Sequence, residues 1–236
     1  MTPIRPWFLR GARDGLPFTL VVTPFALLFG VVATEAGLTL VETMAMTILV
    51  IAGASQFSAV ALMTDQAPTV IVILTALAVN LRMALYSASM ATHLAAAAVW
   101  KKAFVAYFLV DQSYAAAIAK YEAEPNLPLR AKLAYFFGVM LPVAPLWYAF
   151  SWVGAVAGAA IPPEYALDFA VPITFIALVA PALRSVPHVV AATVSVIAAL
   201  SLVWVPYSLG LLLAAALAMT SGAVTEILLD RRARAA

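Results

Sequence analysis

The chain has 236 residues, of which 65% are hydrophobic and only 10% are charged, and its mean hydropathy is +1.04. A soluble domain carries about 25% charged residues, so this composition excludes a soluble globular protein and predicts one polytopic membrane domain. The net charge of +2 gives no basis for a nucleic-acid partner, and the absence of cysteine excludes disulfides, thiolate metal sites and a cysteine nucleophile.

The apolar runs predict an all-α bundle of about seven or eight transmembrane helices, some of them broken or re-entrant. The predicted helices cover about 16–34, 41–63, 68–91, 103–121, 132–160, 165–183, 188–204 and 207–228. The second is interrupted at Gly53-Ala54-Ser55 and is either one helix or two halves broken at Gly53. The polar segment from Glu122 to Lys132 divides the single domain, residues 1–236, into halves of roughly 16–121 and 132–228.

Lysine and arginine placement predicts that the basic N-terminus and the arginine-rich C-terminus are cytoplasmic. Eight spans put Lys101 and Lys102 outside, against this rule. Either both snorkel at the interface beside Trp100, or one of helices two to four does not span. A broken second or third helix gives seven spans or a re-entrant pair.

A weak internal repeat is also indicated. A shift of about 124 residues lays Gly30 on Gly154 and the Ile51 region on Phe175. Such repeats are common in secondary transporters, whose substrate sites lie near the membrane midplane where broken helices meet.

Polar side chains stand within the second and third predicted helices. Small-residue helix packing explains Gly53 and Ser55 but leaves Gln56 unexplained. We interpret the segment as an unwound turn whose backbone groups face a substrate. For Asn80 and Arg82 two interpretations stand: the helix ends near Asn80 and Arg82 snorkels, or Arg82 is a carboxylate-binding or gating cation with Asn80 as its hydrogen-bonding neighbour.

Two carboxylates lie in apolar helices. Asp111 is the one placed deepest, near the middle of the fourth predicted helix, and Asp168 stands early in the sixth, where a helix dipole favours a carboxylate. Each can pair with a cation such as Arg82, bind a substrate ammonium group or carry a proton. The chain has no phosphate-binding glycine loop, no His-Glu-x-x-His motif and no Gly-x-Ser-x-Gly elbow, so we expect no catalytic residue, metal site or cofactor.

Two motifs together resemble a known family. Ala52-Gly53-Ala54-Ser55-Gln56-Phe57 and Val79-Asn80-Leu81-Arg82-Met83-Ala84-Leu85-Tyr86, followed by Asp111 and Leu167-Asp168-Phe169-Ala170, resemble the AzlC type of branched-chain amino acid exporter over roughly 16–184. Ile51 and Met83 depart from the pattern, which has phenylalanine and histidine there. The resemblance implies export of leucine, isoleucine, valine and sometimes methionine, together with a small membrane subunit of the AzlD type.

We therefore expect a secondary transporter, not an enzyme, that exports branched-chain or other apolar amino acids across the cytoplasmic membrane with proton coupling. The expected substrate-binding residues are Gly53, Ala54, Ser55, Gln56, Phe57, Asn80, Arg82 and Tyr86, and the expected coupling residues are Asp111 and Asp168. Two alternatives stay open. One is a membrane-embedded enzyme acting on a lipid-soluble substrate, and the other is a channel or structural subunit.

Overall fold

The computed structural model describes residues 4–158, 183, 185–205 and 209–235, and in these residues it contains helices and turns but no strand. The helices are α1 (Ile4–Gly15), α2 (Thr19–Glu35), α3 (Leu40–Leu49), α4 (Gly53–Thr64), α5 (Thr69–His93), α6 (Val99–Tyr107), α7 (Asp111–Ala123), α8 (Leu129–Gly158), α9 (Val186–Ser201) and α10 (Leu209–Ala235). A 3₁₀ turn, Leu16–Phe18, joins α1 to α2.

Four stretches in the described part of the chain are helical, long and apolar enough to cross a membrane. They are Ile4–Glu35, Thr69–His93, Leu129–Gly158 and Leu209–Arg232. The all-helical class is confirmed, whereas the predicted number of seven or eight spans is not. The predicted helix at about 165–183 lies outside the described residues.

The helices form two compact units. One unit contains α1 to α3, most of α4, the second part of α5, and α6 to α8, while the other contains residues 61–78, α9 and α10. All the candidate residues described below belong to the first unit.

The first unit is built on the close packing of α1 and α2 against α8. A Cβ atom on Gly154 would collide with the backbone of Leu27, and one on Gly30 would collide with the backbone of Ser151, so only glycine lets these helices approach so closely. Gly11, in α1, lies against Tyr135, near the start of α8. Because the early residues of α1–α2 contact the early residues of α8, and the late ones contact the late ones, α1–α2 and α8 run parallel. Gly30 and Gly154, the pair aligned by the predicted repeat, are therefore neighbours across this contact.

Both ends of the α6–α7 pair lie at the end of the unit where α1 and α8 begin, which we call the basic end. Lys101, near the start of α6, lines the same surface groove as Ile4 of α1 and Arg130 of α8. The end of α7 lies beside the same helices, since the Tyr121 hydroxyl donates a 2.8 Å hydrogen bond to the Lys132 carbonyl. Between α6 and α7 the chain leaves the helical conformation at residues 108–110, and the pair therefore forms a hairpin that returns to the end from which it entered.

The α3–α4 pair starts from the opposite end. It follows α2 after a short turn, and Thr39 caps α3 through reciprocal hydrogen bonds with Glu42, which hold the pKa of that carboxyl below its usual value. The Phe57 ring lies 4.8 Å from the Phe25 ring and 5.6 Å from the Phe29 ring, and Phe29 is one turn nearer the end of α2. Gly53, one turn earlier on α4, abuts the Phe25 ring, so the first turns of α4 head back toward the end where α3 begins.

The ends of α3 and α6 meet inside the unit. The Tyr107 hydroxyl donates a 2.6 Å hydrogen bond to the Ile48 carbonyl, and because it has a single proton, the Tyr148 hydroxyl is the donor in the 3.0 Å contact between the two tyrosines. Ile48 stands two residues before the first break and Tyr107 immediately before the second. The two hairpin tips are therefore linked through one side chain.

Candidate functional site

The first break lies at residues 50–52, where Val50 is extended at φ −127° and ψ 90°. The Ala52 carbonyl accepts hydrogen bonds from the backbone N–H groups of Ser55 and Gln56, at 3.0 and 3.1 Å, and this begins α4. The sequence left open whether this region is one continuous helix or two halves, and the structure has two separate helices, α3 and α4. The unwound residues precede the predicted turn, so Gly53, Ala54 and Ser55 are the first helical residues.

Gly53 is required at this first helical position by its neighbours. A Cβ atom there would collide with the ring of Phe25 and crowd the ring of Trp147. Small size, not a special backbone conformation, is what glycine supplies here. Ser55 is buried and its hydroxyl donates a 2.9 Å hydrogen bond back to the Ala52 carbonyl, so this side chain stabilises the start of the helix.

The second break changes the interpretation of Asp111. The prediction placed this carboxylate near the middle of one helix at 103–121, and that prediction was wrong, because residues 108–110 separate α6 from α7. Asp111 is the first residue of α7, a position where the helix dipole favours a negative charge. Ser113 closes the turn: its hydroxyl accepts from the Val110 N–H at 2.9 Å and donates to the Phe108 carbonyl at 2.8 Å.

An ion pair joins this second tip to the middle of α5. Arg82 Nη1 lies 3.1 Å from Asp111 Oδ2, and the two side chains are 35% and 42% exposed. Arg82 stands near the centre of α5, a helix that is long and apolar enough to cross a membrane. Arg82 Nε and Asp111 Oδ1 are buried and have no hydrogen-bond partner among the described residues.

Two tyrosines flank the ion pair. The rings of Tyr86, on α5, and Tyr114, on α7, stack with centroids 4.2 Å apart, and the Tyr114 hydroxyl contacts Ser89 Oγ at 3.1 Å. The Tyr86 phenol is also close enough to the Asp111 carboxylate to interact with it. These contacts hold the tip of the α6–α7 hairpin against α5.

The remaining predicted residues on α4 and α5 include several buried groups. Gln56 is completely buried and neither of its amide atoms has a hydrogen-bond partner in the described part of the chain, while Asn80 Oδ1 is buried and similarly unpaired. Phe57 is buried in a cluster of aromatic rings. That Ser55, Gln56, Asn80 and Arg82 share one cavity stays a prediction, and Asp168 lies outside the described residues.

Several side chains at the breaks have no counterpart among the predicted site residues. They are Phe25, Phe29, Tyr107, Ser113, Tyr114, Trp147, Tyr148 and Ser151. The sequence carries one signal for part of this set: Asp111-Gln112-Ser113 is typical of a helix start, which would have located the second break. Among the described residues no group of three or more His, Asp or Glu side chains is placed to hold a metal ion.

The model of the AzlC protein family matches residues 17–161, which include both hairpins and the ion pair. The chain is 29% identical over 174 residues to the inner membrane protein YgaZ of Escherichia coli, covering 71% of this chain and 70% of that protein.

Uncharacterized membrane proteins are similar as well. One from Archaeoglobus fulgidus is 28% identical over 184 residues, covering 75% of this chain and 76% of that protein, and one from Helicobacter pylori is 30% identical over 112 residues, covering 46% and 49%. No solved structure matches significantly. Since the family model covers more than half of the sequence, this chain belongs to the AzlC family.

Proposed function

We propose that this membrane-transport-related protein is a secondary transporter that exports branched-chain or other apolar amino acids across the cytoplasmic membrane. The observation that carries the proposal is the Arg82–Asp111 ion pair, which joins the middle of a membrane-spanning helix to the tip of a broken helical hairpin. Charged residues at membrane depth are costly and typically serve a transported substrate or ion. Membrane-protein relatives and the family assignment support the same class of function.

In this proposal both hairpins are re-entrant, one from each side of the membrane. Broken helices of this kind expose backbone groups only where protein or a water-filled path surrounds them. The contact between Tyr107 and the Ile48 carbonyl closes the path between the two tips. Separation of the tips then opens the path toward one side at a time.

The proposed coupling ion is a proton, carried by Asp111. The groups that face this carboxylate are Arg82 and Tyr86 on α5 and the neighbouring Tyr114 on α7. Protonation of Asp111 removes its attraction to Arg82, which releases the α6–α7 tip from α5. Asp168 is kept as a second candidate because it is a single carboxylate in an apolar predicted helix.

The predicted substrate residues fall into two groups in this scheme. The start of α4, from Gly53 to Phe57, contributes to substrate binding, while Asn80, Arg82 and Tyr86 on α5 link substrate binding to Asp111. A small AzlD-like membrane subunit is proposed as the partner, and no chemical conversion of the substrate is expected. The N-terminus is assigned to the cytoplasm from its basic residues.

The test is flux of radiolabelled leucine in vesicles containing the full chain with and without the small subunit. Asp111→Asn should abolish uphill, pH-dependent export, because the asparagine carries no proton. Asp65→Asn is the matched control, since Asp65 is an exposed carboxylate in the turn after α4. Unchanged pH-dependent uphill export by Asp111→Asn contradicts the coupling role, and recovery of a chemically altered substrate contradicts transport as the function.

A further inference from the structure

The side chain of Gln56 is the most unusual buried group of the first unit. It is 0% exposed, and neither Nε2 nor Oε1 has a hydrogen-bond partner among the described residues. A buried amide that makes none of its hydrogen bonds is strongly destabilising, and native proteins rarely keep one without a ligand or water to pair with it. Its position in the first turn after a helix break places it where a ligand can enter when the tips part.

Two further unpaired donors lie on α8, which the start of α4 contacts at Gly53. Gly53 and Gln56 are three residues apart and so share one face of α4, and Gly53 abuts the rings of Phe25 and Trp147. Trp147 Nε1, on α8, is buried without a hydrogen-bond partner, and so is the Oγ of Ser151 one turn further along. This face of α4 therefore meets helices that carry two more unsatisfied donors.

Aromatic rings form the rest of this environment. The Phe29 ring stacks on the Trp147 ring with centroids 6.3 Å apart, and the Phe25 ring lies 6.2 Å from Trp147. Ring faces attract cations, including ammonium groups of ligands. The site thus offers three donors, one carbonyl acceptor and aromatic faces, which is the chemical complement of a zwitterion.

We propose that Gln56, Trp147 and Ser151 bind the head group of an apolar amino acid. The carboxylate accepts hydrogen bonds from Gln56 Nε2, Trp147 Nε1 and the Ser151 hydroxyl, while Gln56 Oε1 and the faces of Phe25 and Phe29 receive the ammonium group. This inference rests on the proposed function and adds Phe25, Phe29, Trp147 and Ser151 to the predicted site. It leaves the Arg82–Asp111 pair for coupling, since each of those charges already has its partner.

Equilibrium binding to the purified full chain in detergent tests this assignment. The ligands are radiolabelled leucine with two competitors: leucinamide, which lacks the carboxylate, and 4-methylpentanoate, which lacks the ammonium group. Gln56→Leu should weaken leucine binding about tenfold to a hundredfold, the range expected for hydrogen bonds to charged groups. Thr43→Val is the control, because Thr43 is another buried residue with an unpaired hydroxyl, on α3, outside the proposed site. It should leave leucine binding unchanged.

Trp147→Phe provides an independent measurement that retains the aromatic ring. It should weaken leucine binding about tenfold and weaken leucinamide binding clearly less, because the neutral amide carbonyl accepts a weaker hydrogen bond than the carboxylate does. Equal leucine affinity in wild type, Gln56→Leu and Trp147→Phe overturns this inference while leaving the transport proposal intact. Failure of the wild-type chain to bind any apolar amino acid overturns both.

Discussion

The α3–α4 and α6–α7 hairpins use the same backbone construction. Each has two short helices separated by three residues outside the helix, and each is followed by a long helix, α5 or α8. The third helical residue after each break is a serine, Ser55 or Ser113, whose hydroxyl oxygen lies 2.9 or 3.0 Å from the carbonyl oxygen three residues earlier. The first helical residues after the two breaks, Gly53 and Asp111, are 58 positions apart. The spacing between the two similar hairpins therefore differs from the repeat of 124 residues that the sequence suggested.

The two hairpins differ in direction and in chemistry. The α6–α7 hairpin enters from the basic end, whereas α3 enters from the opposite end. The start of α4 is uncharged and closely packed, with Gln56 and Phe57 at 0% and 1% exposure, whereas α7 starts with a half-exposed carboxylate. One construction therefore presents a closely packed surface at one tip and a charge at the other.

Charge distribution agrees with this arrangement. Every lysine and arginine of residues 4–158 other than Arg82 belongs to α1, α6, the end of α7 or the start of α8. Eight spans would have put Lys101 outside, but the groove shared by Lys101 and Arg130 places both at the basic end. A re-entrant α6–α7 hairpin removes the conflict with the positive-inside rule.

Substitutions at the first helical residues of the two tips should show the largest difference in unfolding free energy. Gly53→Leu should lower the free energy of unfolding by about 2–3 kcal/mol, because the side chain has to displace the rings of Phe25 and Trp147. Asp111→Leu, at the equivalent position, has no such collision and should lower it by about 1 kcal/mol or less. Denaturant unfolding in detergent measures both, and equal effects would show that the two tips are packed alike.

Alanine substitutions of the two capping serines should show a smaller difference in unfolding free energy. Ser113→Ala removes the acceptor for the Val110 N–H as well as a donor, and we expect a loss of about 1–2 kcal/mol in unfolding free energy. Ser55→Ala removes one bond to a carbonyl that keeps two backbone donors, so the expected loss is about 0.5 kcal/mol. The same unfolding measurement ranks the pair, and a larger loss for Ser55→Ala would contradict the hydrogen-bond assignment.

The ion pair at the second tip should make a similarly small contribution to stability. A double-mutant cycle with Arg82→Gln and Asp111→Asn should give a coupling energy of about 0.5–1 kcal/mol, since both side chains are at least a third exposed. Raising the salt concentration should reduce it. A coupling energy several times larger, insensitive to salt, would mean that the pair is a buried structural element and not a releasable contact.

Much of the first unit was predictable from hydrophobic runs, but the second break was not. The lengths of α5 and α8 follow from uninterrupted apolar sequence, and Gly53 signalled the first break within three residues. Phe108-Leu109-Val110 contains neither glycine nor proline, so an apolar run continued across the break and Asp111 looked mid-helical. The pairing of Asp111 with Arg82 was among the roles expected for it, whereas the aromatic environment of Gln56 joins residues distant in sequence and carried no local signal.

The most direct test of the account is the sidedness of the two turns that flank the α6–α7 hairpin. The chain has no cysteine, so Ala96→Cys, before α6, and Asn126→Cys, after α7, each introduce one exposed thiol. Labelling with a membrane-impermeant maleimide should modify both in inverted vesicles and neither in intact cells, because a re-entrant hairpin keeps both turns in the cytoplasm. Labelling of Ala96→Cys in intact cells while Asn126→Cys stays protected would show that α6 and α7 together cross the membrane, and would contradict the account.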